Sequence, residues 1–506
     1  MIGFERKKSY SDFLDLDNFG IVNEQLTSAQ QERIKKIRQA WNFYEGYHWE
    51  DLPPQETAET TVNYCRAFVD KYVAFELGDA FTFTVHKNLE DKVVTRDGRT
   101  LFEYLEDVWE DNNQYLLCTE LGQSKSVTGD AWIQVDFTPA SELDYDPFNE
   151  YPEGRLQLLL HPTHTIFAEY DPYDRKILRK LTVMFPYRKV NTNVLGRTTE
   201  KTALYKCVYT DKEIAVYDDT QNPTVYPNRY GIIPFIQIKN LPVANRTEGR
   251  GDLEDIIPMN TEYNLKKSDV SEVIDYHSSP ITIVYGAKIG SLEKGANKMW
   301  GGIPKDARIE NLEMKGDGGL SSSYTDDLKL SMCEIGGIPE TCLGGAQAIS
   351  NTSGVALSYI NLPLVEKTKL KRQSTEDGLE RLNKLILLVS LLEGIIKIPE
   401  GVTTRDFFRT EVDIPNTLPK DTLIELQQIQ IEMQLGLEHR EHAMKRLGRE
   451  NIEAELEKID KEREEHPEYY GGEKQQPQMN SGMTNGQTPI EEVRKEITGQ
   501  NGGGTV

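Results

Sequence analysis

The sequence predicts an α+β fold, and three observations carry that reading. Between residues 80 and 250, seven short segments rich in β-branched and aromatic residues are separated by turn residues. After them, apolar residues recur at threes and fours over much longer stretches. With 506 residues, of which 38% are hydrophobic, the chain is long enough to fill several cores.

Residues 1–26 are polar and weakly patterned. Ser28-Ala-Gln-Gln31 predicts a capping box, followed by Ile34, Ile37, Trp41 and Tyr44 on one helical face until Gly46 stops the helix. Trp41, Tyr44, Tyr47 and Trp49 are read as core packing, because no basic residues interleave with them beyond Trp41 as a base-stacking surface would need. Thr61 to Gly78 is a second helix, apolar on two sides. Strands are expected at 81–85 (FTFTV), 131–137 (AWIQVDF), 155–161 (RLQLLLH), 180–187 (KLTVMFPY), 203–210 (ALYKCVYT), 213–218 (EIAVYD) and 232–238 (IIPFIQI). One helix near Leu101–Gly122 interrupts them, and Asn222-Pro223 and Pro227-Asn228 are turns.

Gly251 to Ser279 keeps a helical period through Leu253, Ile256, Ile257, Tyr263, Val270, Val273, Ile274 and His277. Asp252, Glu254 and Asp255 crowd its start, where the helix dipole favours acids; Pro258 either kinks it or shifts its start. Pro280 to Gly319 reads as a small β-rich insert with strands PITIVYG and ARIENLEM. Lys288, Lys294, Lys298, Trp300 and Lys305 lie between these strands. Ser321 to Ile335 is a helix with Tyr324, Leu328 and Met332 on one face.

The chain is organised around Gly336–Ile398. Its first part, Thr341–Gly354 (TCLGGAQAISNTSG), carries no charge in a chain that is 28% charged, and Gly344, Gly345, Asn351, Ser353 and Gly354 make it a loop. Its second part is helical: Leu379, Leu382, Leu385, Ile386, Val389, Leu392 and Ile396 keep the period, and Val355 to Ile396 spans roughly 60 Å at the helical rise. Pro363 removes a backbone donor, so a kink is expected near Ile360. Asn416 to Glu465 is helical again. Gly448–Glu468 holds nine acids and four bases, read as a solvated face. From Tyr469 the composition turns to Gly, Gln, Asn and Pro, a disordered tail in which Thr488-Pro489-Ile490-Glu491 is a capping pattern for one short helix.

Net charge is −24, which argues against a protein that grips nucleic acid over its whole surface but not against one that lets DNA slide past. No run of 18 apolar residues exists, so no membrane span is expected, and MIGFERKKSYSDF has no apolar stretch of signal-peptide type. Five cysteines, Cys65, Cys118, Cys207, Cys333 and Cys342, are odd in number and lack CxxC spacing. They read as reduced thiols of a cytosolic protein without a zinc site. Gly290-SLEK-Gly295 has P-loop glycine spacing, but Ala296 and Asn297 replace the lysine and hydroxyl that phosphate binding needs. Ser291-x-x-Lys294 lacks companion motifs. His161-x-x-His164 and His439-x-x-His442 have pairwise spacing for a metal; Glu438 or Glu441 could add a ligand to the second, while the first has no third ligand in view. No metal, cofactor or catalytic group is expected.

Several quoted stretches together resemble the portal proteins of tailed bacteriophages, the SPP1-type family. These are NLPVANRTEGRGDLEDIIPMNTEYNLKKSDVSEVIDYHSSPITIVYGA, the uncharged loop with SGVAL, VNYCRAFVDKYVAFELGDAFTF (Val62–Phe83), RYGIIPFIQIKN (Arg229–Asn240) and PNTLPKDTLIELQQIQIEMQLGLEHREHAMKRLGRENIEAELEKIDKE (Pro415–Glu462). The resemblance spans about Thr27 to Glu465, and it rests on order and spacing, not on one sharp signature. His439 and His442 stand where the family usually has a Ser and a Thr, which puts the helix cap there in doubt.

The resemblance implies a portal fold: peripheral helices (1–60), an α+β wing (61–250), a stem helix (251–279), a β-rich clip (280–320) and a second stem helix (321–339). A tunnel loop (340–354), a long kinked wing helix and return (355–415), a helical crown (416–468) and the tail (469–506) complete it. It implies a dodecameric ring at one capsid vertex, assembled in the bacterial cytoplasm, through which double-stranded DNA is packaged and ejected. Implied partners are the terminase large subunit, major capsid and scaffolding proteins and the head-completion adaptor, with no membrane and no catalysis. Leu343, Gly344, Gly345, Gln347, Ile349, Asn351 and Thr352 would face DNA. Lys288, Lys294, Lys298, Trp300 and Lys305 would meet partners, with Trp300 either an exposed anchor or the filler of the clip's own core or a neighbouring one. The rival readings are a non-portal virion or scaffolding component, separated by ring formation, and a DNA-translocating ATPase, which the missing P-loop lysine disfavours.

Overall fold

A computed structural model of the chain describes residues 25–50, 59–143, 151, 154–192, 198–218, 222–278, 282–285, 308–311, 318–344, 359–415, 422–447 and 452–465. The segments expected to be a polar N-terminal periphery and a disordered tail therefore lie outside the described residues. So do Lys288, Lys294, Lys298, Trp300 and Lys305, and Gly345, Gln347, Ile349, Asn351 and Thr352. The chain forms two compact units, Met1–Pro419 and Lys420–Val506.

In the first unit, α1 spans Ser28–Glu45. Its cap is Thr27, one residue before the expected one: the Thr27 hydroxyl accepts from the Gln30 N–H, and Gln30 Oε1 accepts from the Thr27 N–H at 2.9 Å. Thr27 is extended and Ser28 already helical, so the reciprocal box starts at Thr27. α2 (Tyr64–Leu77) starts three residues later than expected, capped by Asn63. The expected helix over 101–122 is two helices, α3 (Leu101–Asp111) and α4 (Gln114–Thr128). Asn113, at φ +50°, breaks the run, and its side chain caps α4 by accepting from the Leu116 N–H.

The strands form four sheets among the described residues. β1 (Thr82–Val85) pairs with β12 (Thr410–Asp413), Phe83 opposite Val412. β2 (Asp130–Thr138) lies between β3 (Arg155–His161) and β9 (Phe235–Lys239), with Ile133 opposite both Leu160 and Ile236. A five-stranded antiparallel meander runs β4 (Ile166–Tyr170), β5 (Leu178–Thr192), β6 (Thr198–Tyr209), β7 (Glu213–Asp218) and β8 (Thr224–Pro227). β10 (Thr282–Tyr285) and β11 (Arg308–Asn311) form an antiparallel pair between two helices, α5 (Ile256–Ser278) and α6 (Gly318–Gly336), which pack on each other.

α7 (Leu362–Leu392) is the spine of the unit, about 46 Å long at the helical rise. Pro363 sits in its first turn, where a missing N–H costs nothing, so it starts the helix. Tyr359 and Ile360 are also helical, and the interruption falls at Asn361. Leu379, Leu382 and Ile386 are fully buried with Leu105, Trp109, Ile133 and Ile238, each aliphatic contributing about 2 kcal/mol by leaving water. Gly378 lets β9 approach: a Cβ there would lie 2.7 Å from Ile238 Cγ1. Trp109 Nε1 donates to Asn383 Oδ1 at 3.0 Å, and the Tyr104 hydroxyl meets Ser390 Oγ at 2.7 Å, tying α3 along α7.

In the second unit, α8 (Thr422–Gln434) ends at Gly436, φ +67°, and is followed by α9 (Arg440–Arg446) and α10 (Ile452–Glu465). Ile429 and Ala443 are buried. His442 Nδ1 lies 2.8 Å from Glu438 Oε1, and Arg446 Nη1 donates to the same oxygen at 3.2 Å. No helix among the described residues is long and apolar enough to cross a membrane.

Candidate functional site

The helix–hairpin–helix α5–β10–β11–α6 and the uncharged segment after it share one root. α6 ends in a Schellman turn: Gly337 takes φ +69°, its N–H reaches Glu334 O at 3.2 Å, and the Ile338 N–H reaches Cys333 O at 2.9 Å. A 3₁₀ turn over Glu340–Leu343 follows, held by the ion pair from Glu340 to Lys329 at 3.0 Å and closed by Gly344 at φ +88°. Cys342 Sγ donates to Asn361 Oδ1 at 3.1 Å, which ties the start of the uncharged segment to the residue that precedes α7. Leu343 is half-buried against the core that holds Phe68 and Tyr72, and Gly344 is exposed. These are the two residues of the proposed loop surface that lie within the described chain.

α5 is anchored through polar residues one turn apart. Asn260, Asn264 and Ser268 are buried on one face and bond the extended stretch before α2. Asn260 Oδ1 accepts from Tyr64 N at 3.1 Å and its Nδ2 donates to Val62 O at 2.9 Å. Asn264 Oδ1 accepts from Val62 N and Ser268 Oγ from Thr60 N, both at 3.0 Å. These bonds occupy the backbone of residues 60–64, which is why α2 begins late. The spacing of four along a helix was the readable signal for this ladder.

Beneath both helices lies a buried charge network. Glu76 of α2, Lys125 of α4, Lys371 of α7 and Asp252 before α5 have side chains with no solvent exposure. Lys125 is paired with Glu76 and reaches Thr375 Oγ1 at 2.6 Å. Lys371 Nζ lies 2.8 Å from Asp252 Oδ2, 2.8 Å from Ser126 Oγ and 3.4 Å from Glu76 Oε2. Asn240 Nδ2 donates to Asp252 Oδ2 at 3.0 Å, and the Asp252 N–H to Ser126 O at 2.8 Å. Burial alone would raise the Glu76 carboxyl, but Lys125 and Lys371 outweigh it and hold it below the usual range. Lys371 and Lys367 likewise hold Asp252 well below. Both acids therefore stay ionised. Asp252 is thus not a dipole acid at the mouth of a helix; α5 starts at Ile256, four residues on.

Backbone contact closes the same region: a Cβ on Gly129, φ +96°, would meet Gly249 O at 2.5 Å. Nothing in the sequence reading singled out Glu76, Lys125, Asp252 as an ion partner, Lys367 or Lys371. The available signal was Lys371 falling on the apolar stripe of α7, seven residues after Leu364 and eight before Leu379.

His161 and His164 do not converge on a ligand set. The His161 ring bonds Gln134 Oε1 at 2.8 Å, and His164 is buried in a 3₁₀ turn beside Arg33. Among the described residues no group of three or more His, Cys, Asp or Glu side chains is placed to hold a metal.

Compared with known proteins, residues 23–469 match the family model described as "Phage portal protein, SPP1 Gp6-like". No curated protein matches the chain. The chain is similar to a protein in the solved structure "Virion of native gene transfer agent (GTA) particle", with 11% identity over 76% of this chain and 89% of that chain and a TM-score of 0.40.

Proposed function

We propose, from the premise that this chain belongs to the SPP1 Gp6-like phage portal protein family, that it forms the ring at one vertex of a capsid through which double-stranded DNA is packaged and ejected. The observation that carries this reading is the family match across residues 23–469 of the 506-residue chain.

In this reading α5 and α6 are the stem, the strands β10 and β11 belong to the clip, and the charge-free stretch Thr341–Gly354 is the tunnel loop. Gly345, Gln347, Ile349, Asn351 and Thr352 meet the duplex, with Leu343 packed at the root. DNA passes because it is not held: each phosphate neutralised adds salt-dependent affinity, and a chain of net charge −24 with an uncharged constriction neutralises few. The protein performs no catalysis, and the terminase supplies the energy of translocation. Lys288, Lys294, Lys298, Trp300 and Lys305 form the clip surface that meets the terminase large subunit and then the head-completion adaptor; major capsid and scaffolding proteins surround the wing. A dodecamer is the expected assembly.

Exposed apolar side chains support subunit association: Ile274 on α5, Leu330 and Ile335 on α6, and Tyr359 and Leu370 at the start of the spine are each more than 45% exposed in the single chain. An obligate interface of about 2,000 Å² or more would cover such residues. Light scattering of the purified protein tests the reading. A ring gives a mass many times 57.7 kDa, and a stable particle of 57.7 kDa at micromolar concentration contradicts it.

A further inference from the structure

Two lysines one turn apart on α7 serve the buried network in different ways. Lys371 is sealed from solvent and faces two carboxylates and a serine. Lys367 keeps 19% of its side chain exposed and touches one group from each of three neighbouring elements. Its Nζ lies 3.1 Å from Asp252 Oδ1 at the root of α5, 3.2 Å from Gly336 O at the end of α6, and 2.9 Å from the Tyr72 hydroxyl on α2. The ammonium also stands 4.1 Å from the centroid of the Tyr72 ring, whose hydroxyl donates to the same Gly336 carbonyl.

We infer that Lys367 is a releasable clamp: it couples the roots of α5 and α6 to the first turns of the spine helix, and its release loosens those two roots without unfolding the body. The asymmetry of the network makes release possible. If Lys367 swings out, Asp252 still has Lys371 and Asn240, Glu76 still has Lys125 and Lys371, and no buried charge is stranded. Water can reach the departing ammonium, and burial already draws it below the usual lysine range despite Asp252. Releasing Lys371 instead would weaken the hold on two buried carboxylates at once. The roots of α5 and α6 therefore lose a contact of small cost, while the ladder from Asn260, Asn264 and Ser268 and the body's own charge lock stay in place. This inference stands on the contacts of one chain and is independent of ring formation.

Hydrogen–deuterium exchange on the full-length protein tests it. Lys367→Met keeps most of the stem and removes the charged hydrogen bonds. It should raise exchange about tenfold in residues 256–262 and 330–338 and leave β2 and α3 unchanged, since a hydrogen bond to a charged group is worth on the order of one such factor. Unchanged exchange at the two roots, or a rise spread equally over β2 and α3, would overturn the proposal. Tyr72→Phe is the second probe: it removes the hydroxyl shared with Gly336 and leaves the Lys367–Asp252 pair, so the rise should be confined to residues 330–338. An equal rise at 256–262 in this variant would also overturn it.

Discussion

Lys371 Nζ stands 2.8 Å from Asp252 Oδ2, and solvent reaches neither side chain. This pair joins the middle of the spine helix to the segment that launches α5. Lys371→Met leaves Asp252 with Lys367 and Asn240, and Glu76 with Lys125 and Thr375. Loss of one partner from a buried pair costs about 3–5 kcal/mol, so the variant should unfold well below the wild type in urea or on heating. Asp252→Asn combined with Lys371→Met should cost less than the sum of the two single changes, because the remaining partners are then no longer mismatched. Additive costs would mean that the two groups do not interact.

Stability should fall on mild acidification. Burial, aided by Arg33, brings His164 down to about 4 from an ordinary 6.5. Its folded value is depressed, so the stability it supports is fully present above pH 6.5 and is lost as pH falls from 6.5 toward 4, while the unfolded chain takes up the proton. By pH 5 the loss attributable to this one ring is about 2 kcal/mol. Urea melts at pH 7 and pH 5 of the wild type and His164→Leu should show the smaller pH difference in the variant. Equal differences would assign the pH dependence elsewhere.

Gly378 is a packing requirement. A methyl group there meets Ile238 at 2.7 Å inside a filled core, so Gly378→Ala should destabilise by about 1–3 kcal/mol although alanine is the better helix former. Ile238→Val in the same chain should recover part of the loss, as read from denaturation midpoints. A stabilised Gly378→Ala would show that the helix and β9 can separate freely.

Lysines at two tunnel-loop positions test the sliding argument. Gln347→Lys with Asn351→Lys, repeated around a ring, sets many cations against one duplex, and drag rises with the number of phosphates neutralised. Packaging in vitro should slow or stall, and raised salt should partly restore it, while assembly stays normal. Normal packaging by a normally assembled variant would mean that this loop does not line the DNA path.

Much of the secondary structure was legible because it rests on local pattern. The strand at 155–161 and the apolar period of the spine helix show burial directly in the order of residues, and the strand at 213–218 is marked by its β-branched and aromatic residues. The errors have physical causes that a local reading does not contain. Asn113 splits one helical pattern by taking a left-handed backbone, and the late start of α2 is set by Asn260, about 200 residues away. Thr224–Pro227 carries no strand pattern in the sequence, because all four of its residues are exposed and no alternation marks it. Thr410–Asp413 is too short to stand out until Thr82–Val85 pairs with it. The uncharged loop was legible from composition, but the charge network below it was not. Glu76, Lys125, Asp252, Lys367 and Lys371 are scattered over nearly 300 positions and are brought together by the packing of four segments.

A cryo-electron microscopy reconstruction of the purified full-length protein tests most directly whether the chain builds a ring-shaped conduit. The expected result is a rotationally symmetric ring with a central hole, residues 341–354 facing the axis, and the segment between Tyr285 and Arg308 at one end of the channel. A monomer, or a ring whose residues 341–354 face its outer perimeter, would contradict it.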